Sequence, residues 1–140
     1  MANKEHLKIL KKGVEAWNAW REKNVKENPD LTGVDLGEAK LRGANFFDAD
    51  LRGVKLVGAD LQESSLVRAD LRIADFSLAN LIAARMDEAN CYKTKFRGAK
   101  LNLARILGAN FRLADLSEAD FTEANMSNSS FFKQLFETQT

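Results

Sequence analysis

Residues 49–61 read ADLRGVKLVGADL, and leucine returns in them every five residues, at Leu51, Leu56 and Leu61. No ordinary element has that period. An α-helix turns about 100° per residue, so a five-residue step lands on another face, and in a continuous strand such positions point to opposite sides. Carrying the step through the chain gives 22 positions from Leu31 to Phe136, every one apolar, with Phe46, Phe76, Phe96, Ile106 and Phe111 among the leucines. We term this position the centre of each repeat. Two residues before it the chain is small, as at Ala49, Ala59, Ala69 and Ala74, with Ser64, Thr94, Val34 and Val54 as exceptions. Small and large apolar residues two apart form the inner face of a short extended segment. The polar residues beside the centre, Asp50, Asp60 and Asp70 before it and Arg52 and Arg72 after it, then face outward.

A five-residue period requires a corner in every repeat to undo the alternation. Gly33, Gly43, Gly53, Gly58, Gly98 and Gly108 occupy that corner, where a type II turn needs positive φ at its third residue. A chain that keeps turning the same way stacks on itself as a solenoid, with coils about 4.8 Å apart. The tandem motifs ADLRG, GADLQ, ANFRL and ADLSE resemble the pentapeptide-repeat family over residues 31–130. What the resemblance implies is an all-β solenoid, a right-handed quadrilateral β-helix with four repeats to the coil and about five coils in this chain. Composition and spacing alone do not choose four sides over three.

Both ends depart from the repeat. Residues 4–24 place Leu7, Leu10, Val14, Trp17 and Trp20 at steps of three and four, the stripe of an amphipathic helix that caps the apolar mouth of the first coil. Gly13 should cost this helix about 1 kcal/mol and allow close approach to the coil beneath. Asn28-Pro29-Asp30 ends the segment. At the other end Gln134 falls where alanine belongs, and Phe131, Phe132, Leu135 and Phe136 fit a short helix with Ser129 or Ser130 as its N-cap. The expected organisation is a helical cap and linker over 1–30, a β-helix over 31–130 and a C-terminal cap over 131–140. Family members that protect DNA gyrase dimerise through their C-terminal ends, so the resemblance gives those four residues a second role as an interface. A lid on a monomer is favoured over a C-terminal homodimer. The leader EHLKILKKGVEAWNAWR is also similar to that of cyanobacterial members of the family.

Catalytic signatures are missing. His6 stands alone in the leader and is expected to be solvated, Cys91 has no second thiol and fits an interior position, and each glycine is isolated at a corner rather than clustered in a phosphate loop. The expectation is a non-enzymatic protein with no cofactor and no metal. MANKEHLKILKKGVEAW holds neither a signal-peptide core nor a membrane span, which points to the cytoplasm and away from a membrane partner. With 21 Lys+Arg against 20 Asp+Glu, nothing calls for direct nucleic-acid binding.

Function must then lie in the outward residues. With the coil that the resemblance implies, Thr32, Arg52, Arg72, Tyr92 and Arg112 fall in one column beside Asp30, Asp50 and Asp70, readable as a solvated charge ladder or a binding face. Phe47, Val67, Asp87 and Leu107 fall in another column, and Phe47 with Val67 is the first candidate for an interaction patch. Val57, Ile73 and Leu78 should gather near one corner, with Ile82 and Leu103 facing out elsewhere. The expected role is a rigid protein–protein interaction module whose partner is unnamed. The alternative implied by the family is mimicry of duplex DNA toward a type II topoisomerase. Mimicry needs a strongly negative surface, and residues 31–126 carry 13 Lys+Arg against 14 Asp+Glu.

Overall fold

The computed structural model describes residues 1–131, so the expected helix over Phe132, Leu135 and Phe136 lies outside the described residues. Its organising feature is a register of twenty. Parallel bridges pair Asp30 with Asp50, Asp50 with Asp70, Asp70 with Asn90, Asn90 with Asn110 and Asn110 with Ser130, and three further columns begin at Asp35, Lys40 and Asn45. Four repeats therefore complete each coil. Within a column the bonding alternates in direction: Asp70 N–H donates to the Ala49 carbonyl at 2.9 Å, while Leu51 N–H donates to the Asp70 carbonyl at 2.8 Å. Each side of a coil is only a few residues long before it turns.

The inner face is buried. Every inward position from Leu41 through Leu116 is at most 4% exposed, including Ser64, Thr94 and Cys91. Thr94 satisfies its hydroxyl by donating to the Leu71 carbonyl at 2.6 Å. Burial pushes the Cys91 thiol far above its ordinary pKa, which leaves it an inert apolar filler. Toward the C-terminal end the aromatic centres form a run, with Phe76 stacked on Phe96 at 5.3 Å, Phe96 tilted on Phe111 at 5.7 Å, and Phe111 stacked on Phe131 at 5.1 Å. Phe121, Met126 and Phe131 are only partly buried, so the described interior opens at this end.

Two local devices explain the outward polar letters. The Asp or Asn before a centre accepts the N–H two residues on: Asp50 Oδ1 from Arg52 at 3.2 Å, Asn80 Oδ1 from Ile82 at 3.1 Å, and Asp115 Oδ1 from Ser117 at 3.0 Å. That local bond steers the chain into the turn. Each corner is then closed by a bond from the small residue back to the preceding centre, as in Val54 N–H to the Leu51 carbonyl at 3.1 Å. The glycine rule proves too narrow. Among the described residues, fourteen non-glycine residues also have positive φ, Glu38 at 57°, Ile73 at 56° and Leu78 at 60° among them. From Glu38 to Leu103 their N–H groups are held by the next coil, Ile73 by the Tyr92 carbonyl at 3.0 Å and Leu78 by the Arg97 carbonyl at 2.9 Å, so there the ladder supports a backbone these side chains disfavour.

The leader is two helices rather than one, α1 (Lys4–Lys11) and α2 (Val14–Lys23). They break at Gly13, whose φ of 115° suits glycine, and a Cβ there would meet nothing within 4 Å. Close approach to the coil is therefore not the reason for this glycine. The apolar stripe does lie on the first coil, with Leu10 and Trp17 buried and Leu7, Val14 and Trp20 partly so. Helix α2 also stands in for a missing coil. Asn45 N–H, which elsewhere in the register would find a carbonyl below it, donates instead to Asn18 Oδ1 at 2.8 Å. Trp17 Nε1 donates to the Asn45 carbonyl at 2.7 Å, and Arg21 donates to the Phe47 carbonyl at 2.6 Å.

His6 overturns the expectation of a solvated side chain. It is 9% exposed, its Nδ1 accepts the Asp30 N–H at 3.0 Å, and its Nε2 faces the Glu27 carboxylate at 3.3 Å. The ring ties α1 to the entry of the first coil, a structural use that sequence spacing does not reveal.

Candidate interaction surface

Three outward regions carry the residues singled out from the sequence. The first is the arginine column. Arg52 grips Asp50 through Nε at 2.8 Å and Nη2 at 2.7 Å, and Arg72 grips Asp70 in the same way at 2.9 and 2.6 Å. Arg52 Nε also lies 3.8 Å from Asp70, bridging successive coils. The stacked cations are thus interleaved with carboxylates. Further along, the column changes chemistry: Asn110 donates an amide N–H to Asn90 Oδ1 at 3.3 Å. Beside the charged part lies a hollow of about 510 Å³ whose lining includes Asp30, Asp48, Asp50, Arg68 and Arg72. Tyr92 is half-buried and Arg112 exposed, its N–H bonded to Asn110 Oδ1 at 3.0 Å.

The hydrogen bonds from Arg52 hold the Asp50 carboxyl below the usual carboxylate range, and those from Thr122 and Asn102 hold Asp120 at about 2. A depressed carboxylate contributes stability that is complete above its unfolded pKa and lost as pH falls through the folded one. The melting temperature is therefore expected to hold down to about pH 4 and to fall from there toward about pH 2. Substituting Arg52→Met should raise the Asp50 midpoint in an NMR titration; an unmoved midpoint would contradict the assignment.

The second region is the Phe47 column. Phe47, Val67 and Leu107 face outward but are half-buried rather than open. Side chains stacked at the coil spacing cover one another, and the Arg68 guanidinium lies 5.9 Å from the centre of the Phe47 ring. Phe47 is further engaged through its carbonyl by Arg21. This column behaves as an outer layer of packing.

The third region holds Ile73 and Leu78, the two most exposed large apolar side chains of the described repeat. Ile73 is 62% exposed and Leu78 67%, on successive corners, with Val57 at 37%, whereas Leu103, at 57%, stands on a third corner. Ile82 is partly covered. Ile73 and Leu78 flank one side of the coil, where Lys55, Asp75 and Lys95 succeed one another in the ladder. The sequence reading expected Val57, Ile73 and Leu78 near one corner; the register of twenty instead puts Ile73 and Leu78 on successive corners, with Val57 on the side between them one coil below, because neighbouring repeats turn at different corners.

The corner of Ile73 stands out energetically. A β-branched residue in the left-handed region is disfavoured by about 1–2 kcal/mol, and here the side chain gains little burial in return. Exchanging Ile73→Gly is therefore expected to stabilise the fold by about 0.5–1 kcal/mol in urea unfolding. Measured destabilisation would mean that Ile73 is held by packing after all.

Among the described residues, no group of His, Cys, Asp and Glu could hold a metal ion, and no helix is long and apolar enough to cross a membrane. Residues 30–66, 64–102 and 104–131 match the pentapeptide repeats family, in eight copies. The chain belongs to that family, whose members are generally structural or interaction modules and whose fold is the right-handed quadrilateral β-helix. No curated protein matches it. Among solved structures it is similar to the pentapeptide repeat protein Rfr23 of the cyanobacterium Cyanothece 51142, at 21% identity and a TM-score of 0.64, covering 86% of this chain and 97% of that one. A pentapeptide repeat protein of the Arabidopsis thaliana thylakoid lumen is 28% identical, with a TM-score of 0.56 over 78% of this chain and 69% of that one. QnrB1, a plasmid-mediated fluoroquinolone resistance protein, is 14% identical, with a TM-score of 0.57 over 74% of this chain and 63% of that one.

Proposed function

We propose that this protein is a non-enzymatic interaction module, a rigid cytoplasmic rod acting as a single copy that presents outward side chains to another protein. The observation that carries this reading is the pairing of an interior buried from Leu41 through Leu116 with exposed Ile73 and Leu78 on corners of disfavoured backbone. A sequence selected only to fold would place glycine or a polar residue there, and local rules are broken where function requires it. Cross-linking of the tagged protein in its native cell, followed by mass spectrometry, tests the reading. One protein captured reproducibly is expected; capture of nothing above an untagged control would contradict it.

Duplex mimicry toward a topoisomerase is the weaker reading, because the repeat region is nearly neutral and the likeness to QnrB1 rests on fold. Excess protein is expected to leave gyrase supercoiling unchanged, and inhibition or protection of the enzyme would favour mimicry instead.

A further inference from the structure

We infer that the side of the coil between Ile73 and Leu78 pairs with the same side of a second copy of this chain, the two rods antiparallel about a two-fold axis set between Lys55 and Asp75. The interaction reading concerns another protein; this assigns what covers the surface when no such protein is bound.

Charge alternates along this side of the rod. The ladder column in its middle reads Asp35, Lys55, Asp75, Lys95 and Asp115. Lys55 and Lys95 are exposed, and among the described residues neither forms an ion pair; Asp75 is half-buried, its Oδ1 taken by the Ser77 N–H at 2.9 Å. Coil by coil, residues 33–38 carry Asp35 and Glu38, residues 53–58 Lys55, residues 73–78 Asp75, and residues 93–98 Lys93, Lys95 and Arg97, the last lying 3.7 Å from Glu118. An acidic first coil and a basic fourth thus enclose two coils of single, opposite charge. Two rods laid parallel would set each coil against its own charge. Reversing one of them about an axis between Lys55 and Asp75 sets the first coil against the fourth and the second against the third, so every coil meets the opposite sign. Asp35 then faces Lys95 of the second copy and Lys55 faces its Asp75, and the two-fold repeats both pairs. An axis through Asp75 itself would match lysine with lysine and acid with acid.

An axis between Asp75 and Lys95 also brings opposite signs together, and the corners decide against it. With the axis between Lys55 and Asp75, the exposed Ile73 and Leu78 come level with Gly53 and Gly58 of the second copy, corner positions with no side chain to oppose them, and Val57 comes level with Ser77. One coil further on, Ile73 would meet Lys93, and Leu78 would meet a Gly98 already covered in its own chain, where an added Cβ would come within 2.9 Å of Leu78 Cδ2. Asp115 and Glu118 fall beyond the four paired coils. A side four coils tall and five residues wide covers roughly 300 Å² per copy, against about 800 Å² per partner in a stable dimer. The pair is therefore weak, dissociating below about 0.1 mM, and another protein meets a single rod.

The test is sedimentation velocity of the full chain in low salt, from about 10 μM to about 1 mM. The mass is expected to rise from one chain toward two across that range and to fall back when salt is added. Self-association should weaken about tenfold or more in Ile73→Gly/Leu78→Gly, whose glycines suit the corner backbone, and in Lys55→Glu/Lys95→Glu, whose column is wholly acidic. Asp35→Asn/Asp75→Asn keeps the oxygen that accepts the turn N–H, and mixing it with the acidic variant should restore pairing, which also shows the acidic chain to be folded. Orientation is read by oxidising a mixture of Val57→Cys and Ser77→Cys chains, with Cys91 buried; the mixed disulfide is expected in excess of either symmetric one. An acidic variant that pairs as the wild type does, a mixture that stays unpaired, or a disulfide joining position 57 to position 57 in preference would overturn the proposal. A single chain at every concentration would overturn it too, and a partner captured in cells alongside that result would leave the interaction module standing. Pairing without a captured partner would do the reverse.

Discussion

Replacing Phe96→Ala is expected to lower the unfolding free energy by about 3–5 kcal/mol and the melting temperature by on the order of 10 °C. Phe96 is fully buried and stands in the middle of the aromatic run, stacked on Phe76 at 5.3 Å and tilted on Phe111 at 5.7 Å. Its neighbours in the ladder are fixed by hydrogen bonds from the coils on either side, so the wall has little freedom to collapse into the space left behind. The mirror experiment, Ala69→Leu, adds volume in the same rigid lattice and should cost about 1–3 kcal/mol. A loss below about 1 kcal/mol for Phe96→Ala, measured by urea unfolding, would show that the interior relaxes as the ladder should forbid.

Trp17→Ala should have an effect of similar size but in a different place. The indole is 0% exposed, packs on Phe46 at 5.7 Å and Trp20 at 5.3 Å, and donates to the Asn45 carbonyl at 2.7 Å. Truncation removes the apolar contact and leaves an edge carbonyl without its donor, a combined cost of about 3–5 kcal/mol. Because each coil touches only its neighbours, the damage should concentrate at one end. Amide exchange is expected to accelerate around Leu41, Phe46 and Leu56 while Leu101 and Ile106 keep their protection. Uniform loss of protection along the rod would mean that it unfolds as one unit. Trp17→Phe separates the two contributions, since it keeps ring packing and deletes the donated bond.

Much of this architecture is legible in the sequence because the repeat writes the same physical demand many times. A single Ala49–Leu51 pair could belong to any half-buried strand, but the same small-then-large pair recurring at the same interval specifies an inner face with a corner. The number of sides is not written in any one repeat. It depends on the angle of each corner, and the pairing of Asp50 with Asp70 supplies it directly. The corners themselves were only partly readable, because glycine marks Gly53 and Gly58 while Glu38, Ile73 and Leu78 adopt the same backbone under compulsion from the adjacent coil. That compulsion comes from residues twenty positions away, beyond any local propensity.

The surface was harder to read for a related reason. Whether an outward residue is exposed depends on what lies above and below it, so Phe47 and Val67, apolar letters in an outward column, turn out half-covered, while Ile73 and Leu78 stand open between glycines and lysines. His6 shows the same limit at the leader: a lone histidine carries no pattern, and only the position of Asp30 beneath α1 makes it a buried acceptor. Arg21, buried against the Phe47 and Glu27 carbonyls, was missed because a charged residue at the end of a helix ordinarily faces water.

The account rests on a division of labour in which inward residues build the rod and one outward side meets a partner. Site-specific photo-cross-linking in the native cell tests it most directly, with the photoreactive residue placed once at Leu78 and once at Glu88 on the diagonally opposite corner. The account predicts one captured protein from position 78 and none from position 88. Capture of the same protein from position 88 alone, or equally from both, would contradict it.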